Sequence, residues 1–178
     1  MNVVKTSLND CVIIEPKVFG DGRGFFLEAF HTSRYADLAG ISLPFVQDNH
    51  SRSSKGVLRG LHFQKTKPQG KLVRVVRGEV YDVAVDIRIE SSTFGNWEGV
   101  ILSEENKKQF WVPPGFAHGF VVLSDFADFE YKCTDYYDPS DEGSVLWNDP
   151  DLDIPWPLAD PILNNRDASA DRLVDLKR

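Results

Sequence analysis

Cysteine and long apolar runs are both scarce in this sequence. Only Cys11 and Cys133 occur among its 178 residues, and their separation fits neither a disulfide framework nor a zinc-binding spacing. No apolar run approaches the roughly 18 residues of a membrane span, and the segment from Met1 to Thr6 lacks the apolar core of a signal peptide. These absences predict a cytoplasmic protein with two reduced, buried thiols and no membrane partner.

Positive charge is also in deficit. The formal net charge is -7 at pH 7, so nucleic acid and anionic lipid surfaces would both repel the chain as a whole. We therefore expect no nucleic-acid partner. A small anionic ligand remains compatible with this charge, provided that arginine and lysine side chains cluster locally around it.

Helical periodicity is rare, and the best helix candidate runs from Ser33 to Ala39. Thr32 or Ser33 would cap it, Tyr35 and Leu38 would share a face, and Gly40 would end it. Short apolar strands separated by turn residues make up most of the remaining chain, at 11–14, 25–30, 45–51, 57–64, 71–77, 80–87, 97–102, 109–112, 119–123 and 126–134. Many short strands with little helix favour an antiparallel double-sheet barrel or jelly roll. We predict this all-β fold, with a few short peripheral helices, in a single domain spanning residues 1–178.

The strand at residues 57–64 has an unusual composition, because it contains Arg59, Gly60 and His62. Glycine weakens a strand and often marks a bulge, while histidine is well suited to proton transfer near neutral pH. A single histidine in a strand is more often a structural residue, so this strand alone only suggests a catalytic base. Strict alternation puts Arg59 and His62 on opposite faces, unless Gly60 carries a bulge or Arg59 reaches around an edge.

Other polar residues share strand faces by the two-residue period. Gln47 and Asn49 fall on one face, where they are either solvent-exposed or bound to a polar ligand. Tyr131 and Tyr137 have the same parity and are predicted to face the barrel interior together. Asp82 is also inward by parity, and we consider it as a further member of a proton network. Lys71 follows a turn and is either a solvated edge residue or a side chain at the barrel mouth.

The segment Pro113-Pro114-Gly115-Phe116-Ala117-His118 resembles the second motif of cupins, a family of small double-sheet barrels, and His62 would lie on their first motif. Metal-binding cupins supply three histidines and a glutamate. Here His62-Phe63-Gln64 lacks the second histidine, and no glutamate follows at the usual distance. Two imidazoles make a poor divalent site. We therefore predict a cupin-like barrel without a metal, and treat a metal-dependent cupin as the disfavoured alternative.

Several longer motifs, taken together, resemble the dTDP-4-dehydrorhamnose 3,5-epimerase family. They appear in the family's order and reach from the N-terminus to about Asp167. The matching segments are residues 15–21 with 23–26, 45–51, 58–64, 69–74, 114–120 and 143–149. The resemblance implies a cofactor-free isomerase that inverts the two carbons flanking the ketone of dTDP-4-dehydro-6-deoxy-D-glucose. It also implies a homodimer, with the N-terminal segment crossing to the partner.

The resemblance also implies residue roles. His62 would be the base, Tyr131 the acid on the opposite side of the sugar, and Asp167 the residue that holds the imidazole, with Lys71 facing the C4 oxygen. Substrate contacts would come from Arg23, Glu28, Gln47, Asn49, Arg59, Lys71, His118, Tyr137, Glu142 and Arg166. Tyr137 would stack on thymine, with Tyr136 as the alternative if the strand slips by one residue.

One departure from the family pattern is notable. The pattern resembles Ser-x-Lys-Asp, whereas this chain has Asn164-Asn165-Arg166-Asp167. Arg166 therefore stands where the pattern has a lysine, and the two side chains bind phosphate with different geometries. An epimerase acting at C3 alone or at C5 alone would use the same scaffold and base, and stays open as an alternative. A nucleotide-sugar binding module without catalysis is disfavoured, because binding alone needs no acid–base couple.

Overall fold

Two antiparallel sheets form the body of the protein. The computed structural model describes residues 1–177. Its strands are β1 (Asn2–Lys5), β2 (Val12–Glu15), β3 (Val18–Asp21), β4 (Gly24–Leu27), β5 (Gln47–Ser54), β6 (Leu58–Gln64), β7 (Lys71–Arg77), β8 (Glu79–Asp86), β9 (Trp97–Ser103), β10 (Gln109–Val112), β11 (Phe116–Val122), β12 (Phe126–Cys133) and β13 (Glu142–Ser144). The first sheet has the order β1-β2-β10-β7-β12-β5, and the second has the order β13-β6-β11-β8-β9. The predicted all-β, antiparallel double-sheet architecture is confirmed.

The main core lies between the two sheets. Val73 and Phe129 of the first sheet share one buried cluster with Ala84, Phe116 and Phe120 of the second. Alternate residues of each strand point into this cluster, as expected for packed sheets with two distinct faces. The inward face of each strand is therefore identified by its apolar residues, and polar side chains of the same parity must enter the same interior.

The outer face of the second sheet is covered by the C-terminal segment. Leu152 and Ile154 pack against Val83 and Val85 of β8 in a second buried cluster, and the Trp97 indole donates to the carbonyl of Leu152 at 2.8 Å. This segment contains one short helix, α2 (Asn165–Ala168), and a 3₁₀ turn (Leu173–Lys177). Because it crosses the back of the sheet, it can deliver residues near its end to the edge beside β6 and β13.

The predicted peripheral helix is present as α1 (Thr32–Ala39), but two details were wrong. His31 is the N-cap, since its side chain accepts from the backbone of Arg34, and neither Thr32 nor Ser33 has that place. Tyr35 is buried whereas Leu38 is 56% exposed, so the two do not share the packed face. Gly40 ends the helix in the left-handed region at φ 71°, as predicted.

The β6 strand carries a bulge. His118 of β11 pairs with His62, and Phe120 pairs with Arg59, so one residue of β11 faces the two residues Gly60 and Leu61. Gly60 has φ +118°, and a Cβ there would lie 2.6 Å from the carbonyl oxygen of His118. The extra residue shifts the alternation by one step. Arg59 and His62 consequently share one face, so of the two alternatives that the sequence left open, the bulge at Gly60 is the one observed.

Helices of the membrane-spanning kind were not expected. Among residues 1–177, no helix has the length and apolarity that crossing a membrane would demand.

Candidate active site

A cavity of about 330 Å³ opens between the two sheets. Beneath it lies a second hollow of about 130 Å³, and the two share His62, Lys71 and Tyr131. The larger cavity is lined by Gln47, Asn49, His62, Phe63, Gln64, Gln69, Lys71, Tyr131, Tyr137 and Glu142. The bulge in β6 explains why Arg59 lines the inner hollow beside His62, and His118 of β11, which pairs with His62, lines the same hollow.

His62 is held by a buried carboxylate. Its Nε2 lies 2.6 Å from Oδ1 of Asp167, and Oδ2 of that carboxylate accepts from the Gly60 backbone at 3.1 Å. Asp167 is fully buried. An ionised carboxylate can only accept, so Nε2 carries the hydrogen and Nδ1 is left as a basic nitrogen. The sequence-predicted pairing of His62 with Asp167 is thus present in the structure.

Asp167 reaches His62 because of the short helix α2. Asn164 is its N-cap, and its side-chain oxygen accepts from the Asp167 backbone at 2.7 Å. The family pattern has serine at the position of Asn164. Because asparagine and serine are comparable N-caps, Asn164 can cap the helix in the same way. Sequence reasoning did not single out Asn164, although an Asn three residues before an Asp at a helix start is a recognisable capping signal.

Tyr131 and Lys71 lie on the opposite wall from His62. Tyr131 belongs to β12 and Lys71 to β7, both in the first sheet, whereas His62 belongs to the second. The ammonium of Lys71 is 6.0 Å from the centroid of the Tyr131 ring. Burial raises the pKa of Tyr131, so the phenol is protonated at neutral pH. Burial lowers the pKa of Lys71, with partial compensation from Cys133 and the carboxylates of Glu142 and Asp82. Lys71 is therefore a pocket residue and not a solvated edge residue.

A second histidine–carboxylate pair closes the inner end. Nε2 of His118 lies 2.9 and 3.0 Å from the two oxygens of Asp82, and both residues are buried. Burial raises the pKa of Asp82, while His118 and Lys71 oppose the rise. The inward position of Asp82 that its parity predicted is confirmed, and its partner is His118.

Polar side chains line the first-sheet wall of the cavity. The amide of Gln47 donates to Oδ1 of Asn49 at 3.0 Å, so the two share a face as predicted and both line the larger cavity. On the facing sheet, Arg59 of β6 donates from Nε to the hydroxyl of Ser53 at 2.9 Å and lines the inner hollow. These groups present amides and a guanidinium to any ligand between the sheets.

The mouth of the cavity is formed by a hydrogen-bonded trio. Oε2 of Glu142 accepts from the hydroxyl of Tyr137 at 2.6 Å and from Arg166, while Oε1 lies 3.8 Å from Nδ1 of His62. The hydrogen bond to Glu142 raises the pKa of Tyr137. Arg166 lines a neighbouring hollow of about 230 Å³. The trio joins the cavity wall to that hollow.

The expectation for Tyr137 was right in position but wrong in its reason. β12 ends at Cys133, so Tyr137 does not lie on the strand and has no strand parity. It reaches the mouth through the following turn, where its backbone donates to Gln47 at 2.9 Å. Tyr136 is 65% exposed and does not line the cavity, so of these two tyrosines it is Tyr137 whose ring lines the cavity.

Two predicted site residues are not brought to this cavity within the chain. Arg23 lies on the tip of the β3–β4 hairpin, where it is paired with Asp21 and its side chain is 91% exposed. Glu28 is paired with Arg34 at 3.0 Å beside α1. Neither lines the cavity that contains His62. The fold of a single chain therefore does not support their expected contacts with a substrate in this cavity.

Three lining residues were missed by sequence reasoning. Gln64 is buried, donates to the Tyr136 carbonyl and accepts from the Asp138 backbone, so it anchors the turn that carries Tyr137. Gln69 donates to the carbonyl of Asp135. Phe63 completes the wall beside β13. Gln64 has the parity of His62, which was an available signal, whereas Gln69 lies in a loop and had none.

The donor side chains around the cavity also bear on metal binding. Within the part of the chain that the structure describes, no group of three or more histidine, cysteine, aspartate or glutamate side chains is arranged to hold a metal ion.

Comparison with known proteins identifies the family. The sequence matches the dTDP-4-dehydrorhamnose 3,5-epimerase family over residues 5–175. The dTDP-4-dehydrorhamnose 3,5-epimerase of Salmonella typhimurium is 59% identical over 172 residues, which cover 96% of this chain and 94% of that protein. Its counterpart from Methanothermobacter thermautotrophicus is 53% identical and covers 92% of this chain and 90% of its own.

Solved structures agree with these sequence matches. A crystal structure of dTDP-6-deoxy-D-glucose-3,5-epimerase from Legionella pneumophila, in complex with dTDP-4-keto-L-rhamnose, superposes with a TM-score of 0.95 at 58% identity, covering 98% of this chain and 96% of that one. A 3′-monoepimerase from Streptomyces bikiniensis in complex with dTDP-quinovose gives a TM-score of 0.91 at 35% identity, covering 98% and 89%. The fold is thus shared by enzymes of differing regiochemistry, but the sequence match over nearly the whole length is decisive: this chain belongs to the dTDP-4-dehydrorhamnose 3,5-epimerase family.

Proposed function

We propose that this protein inverts C3 and C5 of dTDP-4-dehydro-6-deoxy-D-glucose to give dTDP-4-dehydro-L-rhamnose. The observation that carries the proposal is the placement of an imidazole and a phenol on opposite walls of one cavity, His62 on β6 and Tyr131 on β12. Inversion at carbon requires that a proton leaves from one face and returns to the other. Two proton-transfer groups contributed by facing sheets meet that requirement.

His62 is the base in this proposal. Its Nε2 hydrogen is bonded to Asp167, which leaves Nδ1 free to accept a proton from the carbon next to the ketone. Once protonated, the imidazolium is stabilised by the buried carboxylate of Asp167, in the orienting role known from other histidine–aspartate pairs. The short contact of 2.6 Å and the complete burial of Asp167 favour this role.

The enolate that forms needs a positive charge close to its oxygen. Lys71 is the proposed source, because its ammonium lies on the wall of Tyr131 and lines both hollows. Fixed cations aimed at a developing oxyanion act strongly in a site shielded from water. Tyr131 then donates its proton to the carbon from the face opposite His62. Side chains alone complete this reaction, and the proposal includes no cofactor.

Nucleotide recognition is proposed to involve the remaining predicted residues. Tyr137 would stack on thymine at the cavity mouth. Guanidinium groups suit phosphate oxygens through their forked donors, and Arg59 and Arg166 lie at the inner hollow and beside the mouth. Further polar contacts to the substrate are assigned to Gln47, Asn49, His118 and Glu142.

A homodimer is part of the proposal. The β3–β4 hairpin exposes Phe19, Phe25 and Phe26 by 53, 62 and 67%, and it carries Arg23 at its tip. Exposed aromatic side chains grouped on one hairpin are typical of a protein interface. We infer that the hairpin packs on a second copy of this chain and brings Arg23 and Glu28 to that copy's site. A cytoplasmic location is also proposed, supported by two buried free cysteines.

Solvent exchange tests the proposed reaction. When the enzyme acts on the keto sugar in deuterium oxide, we expect deuterium at both C3 and C5 of the product by NMR. His62→Ala should lose exchange at both positions, with activity reduced roughly 10²–10⁴-fold, while its melting temperature stays close to that of the wild type. Unchanged exchange in His62→Ala would contradict the assignment of the base.

Product stereochemistry decides between the double epimerase and the 3-only or 5-only alternative. A downstream reductase or chemical reduction can trap the keto sugar before it equilibrates, and NMR coupling constants then report each inverted carbon. Inversion at both carbons is expected. A product inverted at one carbon only would assign the protein to the single-epimerase class.

A further inference from the structure

An enzyme that inverts two carbons with one base must remove the proton from that base between the two steps. After the first proton is taken, His62 is an imidazolium and cannot remove the second proton until it has been discharged. This inference rests on the proposed double inversion at C3 and C5. A single-epimerase would need the base to discharge only after the product had left.

Two carboxylates flank the imidazole, and they differ in their access to solvent. Asp167 holds Nε2 and is fully buried, so a proton passed to it would have no exit to water. Glu142 lies at the other nitrogen, with Oε1 3.8 Å from Nδ1, and its side chain is 10% exposed. Its Oε2 is bonded to Tyr137, which is 49% exposed at the cavity mouth. Of these two carboxylates, Glu142 is therefore the one that leads outward, and it gives the imidazole, itself 26% exposed, an exit for its proton when a sugar covers that exposed part.

We propose that Glu142 carries the proton of His62 to solvent between the two inversions. Nδ1 receives the proton from the sugar carbon and gives it to Oε1 of Glu142, and the resulting carboxylic acid releases it to water at the mouth. Tyr131 regains a proton from solvent for the second inversion. Each inversion then removes one proton and returns one, so the cycle balances without any oxidant, reductant or co-reactant.

The geometry requires a small movement of Glu142. A hydrogen bond between nitrogen and oxygen is usually 2.7–3.2 Å long, so the observed 3.8 Å separation must shorten by about 1 Å when the imidazole becomes charged. Tyr137 and Arg166 both bind Oε2, which leaves Oε1 as the free oxygen of the carboxylate. The electrostatic attraction between the imidazolium of His62 and the carboxylate of Glu142 favours the shorter distance.

Glu142→Gln is the discriminating variant, because its amide oxygen can still accept from Tyr137 and Arg166 but the side chain cannot take up a proton. With saturating keto sugar in deuterium oxide, we expect the rate of the second inversion relative to that of the first to fall roughly tenfold or more below the wild-type ratio. The singly deuterated, singly inverted sugar should accumulate in rapid-quench samples analysed by mass spectrometry and NMR. Imidazole buffer, as an external proton acceptor, should restore the second inversion in this variant.

Glu105→Gln is the matched control, since it removes a carboxylate on an exposed turn distant in sequence from the site, and it should release the doubly deuterated product at the wild-type rate. The relay is wrong if Glu142→Gln converts both carbons like the wild type. It is equally wrong if both inversions slow together and imidazole buffer does not restore them, because that result would indicate that Glu142 only binds the substrate. Failure of the wild-type enzyme itself to invert two carbons would instead contradict the proposed function.

Discussion

At the scale of single residues, the environment of His62 distinguishes it from an ordinary strand histidine. The oxygen of Asp167 lies 2.6 Å from Nε2, and the same carboxylate is tied to the backbone of Gly60. These contacts fix which nitrogen of the ring is basic and which way the ring points. A catalytic assignment based on the sequence alone lacked both pieces of information.

Asp167→Asn tests this arrangement directly. The amide keeps the shape of the carboxylate but removes the charge that stabilises the imidazolium and the tautomer with a basic Nδ1. We expect kcat to fall roughly 10²–10⁴-fold while binding of dTDP, measured by calorimetry, changes little. Asp160→Asn, at an exposed position of the same C-terminal segment, is the control and should keep full activity. Equal kcat values for the two variants would show that the Asp167 charge is dispensable.

Lys71 should show opposite effects on activity and stability. Burial lowers its pKa in the folded state below the ordinary value of 10.5, so folding must remove a charge from water. This cost is fully present below the folded-state pKa, shrinks as the pH rises through it, and vanishes above the unfolded-state value. Lys71→Met should therefore raise the melting temperature at pH 7, by an amount that declines toward pH 10.5.

The same variant should lose roughly 10²–10³-fold in kcat, because the charge facing the enolate oxygen is gone. Lys55→Met, an exposed substitution in the turn after β5, should leave both activity and the pH dependence of melting unchanged. A Lys71→Met protein that melts no higher than the wild type at pH 7, or whose gain in melting temperature is as large near pH 10 as at pH 7, would contradict the burial argument. Thermal scans at several pH values, combined with steady-state kinetics, measure both effects.

At the scale of elements, the bulge in β6 aligns the site. Without the extra residue, Arg59 would point to the outer face that the C-terminal segment covers. Gly60→Ala should be destabilising, because φ +118° is strained for any side chain and the new Cβ would lie 2.6 Å from the His118 carbonyl oxygen. We expect a loss of about 1–3 kcal/mol from the backbone strain, with a further loss from the steric conflict and lower activity.

Gly22→Ala is the matched control for that prediction. Gly22 lies on the exposed β3–β4 hairpin, where an added Cβ meets nothing within 4 Å and φ lies outside the left-handed region. Urea unfolding should place the Gly22→Ala midpoint at the wild-type value. If Gly60→Ala unfolded at the same midpoint as this control, the bulge would not depend on glycine.

Strand parity predicted those parts of the site that lie on regular strands. It placed Gln47 with Asn49, and put Asp82 in the interior, because the two-residue period is local and needs no knowledge of distant chain. It also showed that Arg59 and His62 required an irregularity. Strand parity was misleading at Tyr137. The alternation of residues continues past Cys133 into the following turn, so the sequence pattern alone does not show that β12 ends at Cys133.

Contacts between distant segments could not be predicted by spacing. Asp167 is 105 residues from His62 and reaches it only because the C-terminal segment crosses the back of the second sheet. Family motifs, and not periodicity, suggested that pairing. The N-cap of α1 was missed for a related reason, because histidine is an uncommon cap and Thr32 or Ser33 fitted the usual preference better.

At the scale of the whole molecule, the β3–β4 hairpin is the element that the fold of one chain does not explain. Its exposed rings of Phe19, Phe25 and Phe26 lack a hydrophobic cover, and Arg23 at its tip is paired only locally with Asp21. The hairpin forms a separate two-stranded sheet. A second copy of the chain is the partner we propose for this surface.

Mixed dimers test whether Arg23 serves the partner's site. Arg23→Ala and His62→Ala proteins should each be nearly inactive, the first because phosphate contact is lost and the second because the base is missing. In a dimer of one of each, the Arg23→Ala subunit keeps its own His62 and receives an intact Arg23 from its neighbour, so one of the two sites is complete. Random reassortment after mild unfolding and refolding should then recover about a quarter of wild-type activity. If Arg23 acted within its own chain, every mixed dimer would have one lesion in each site, and the mixture would stay as inactive as its components.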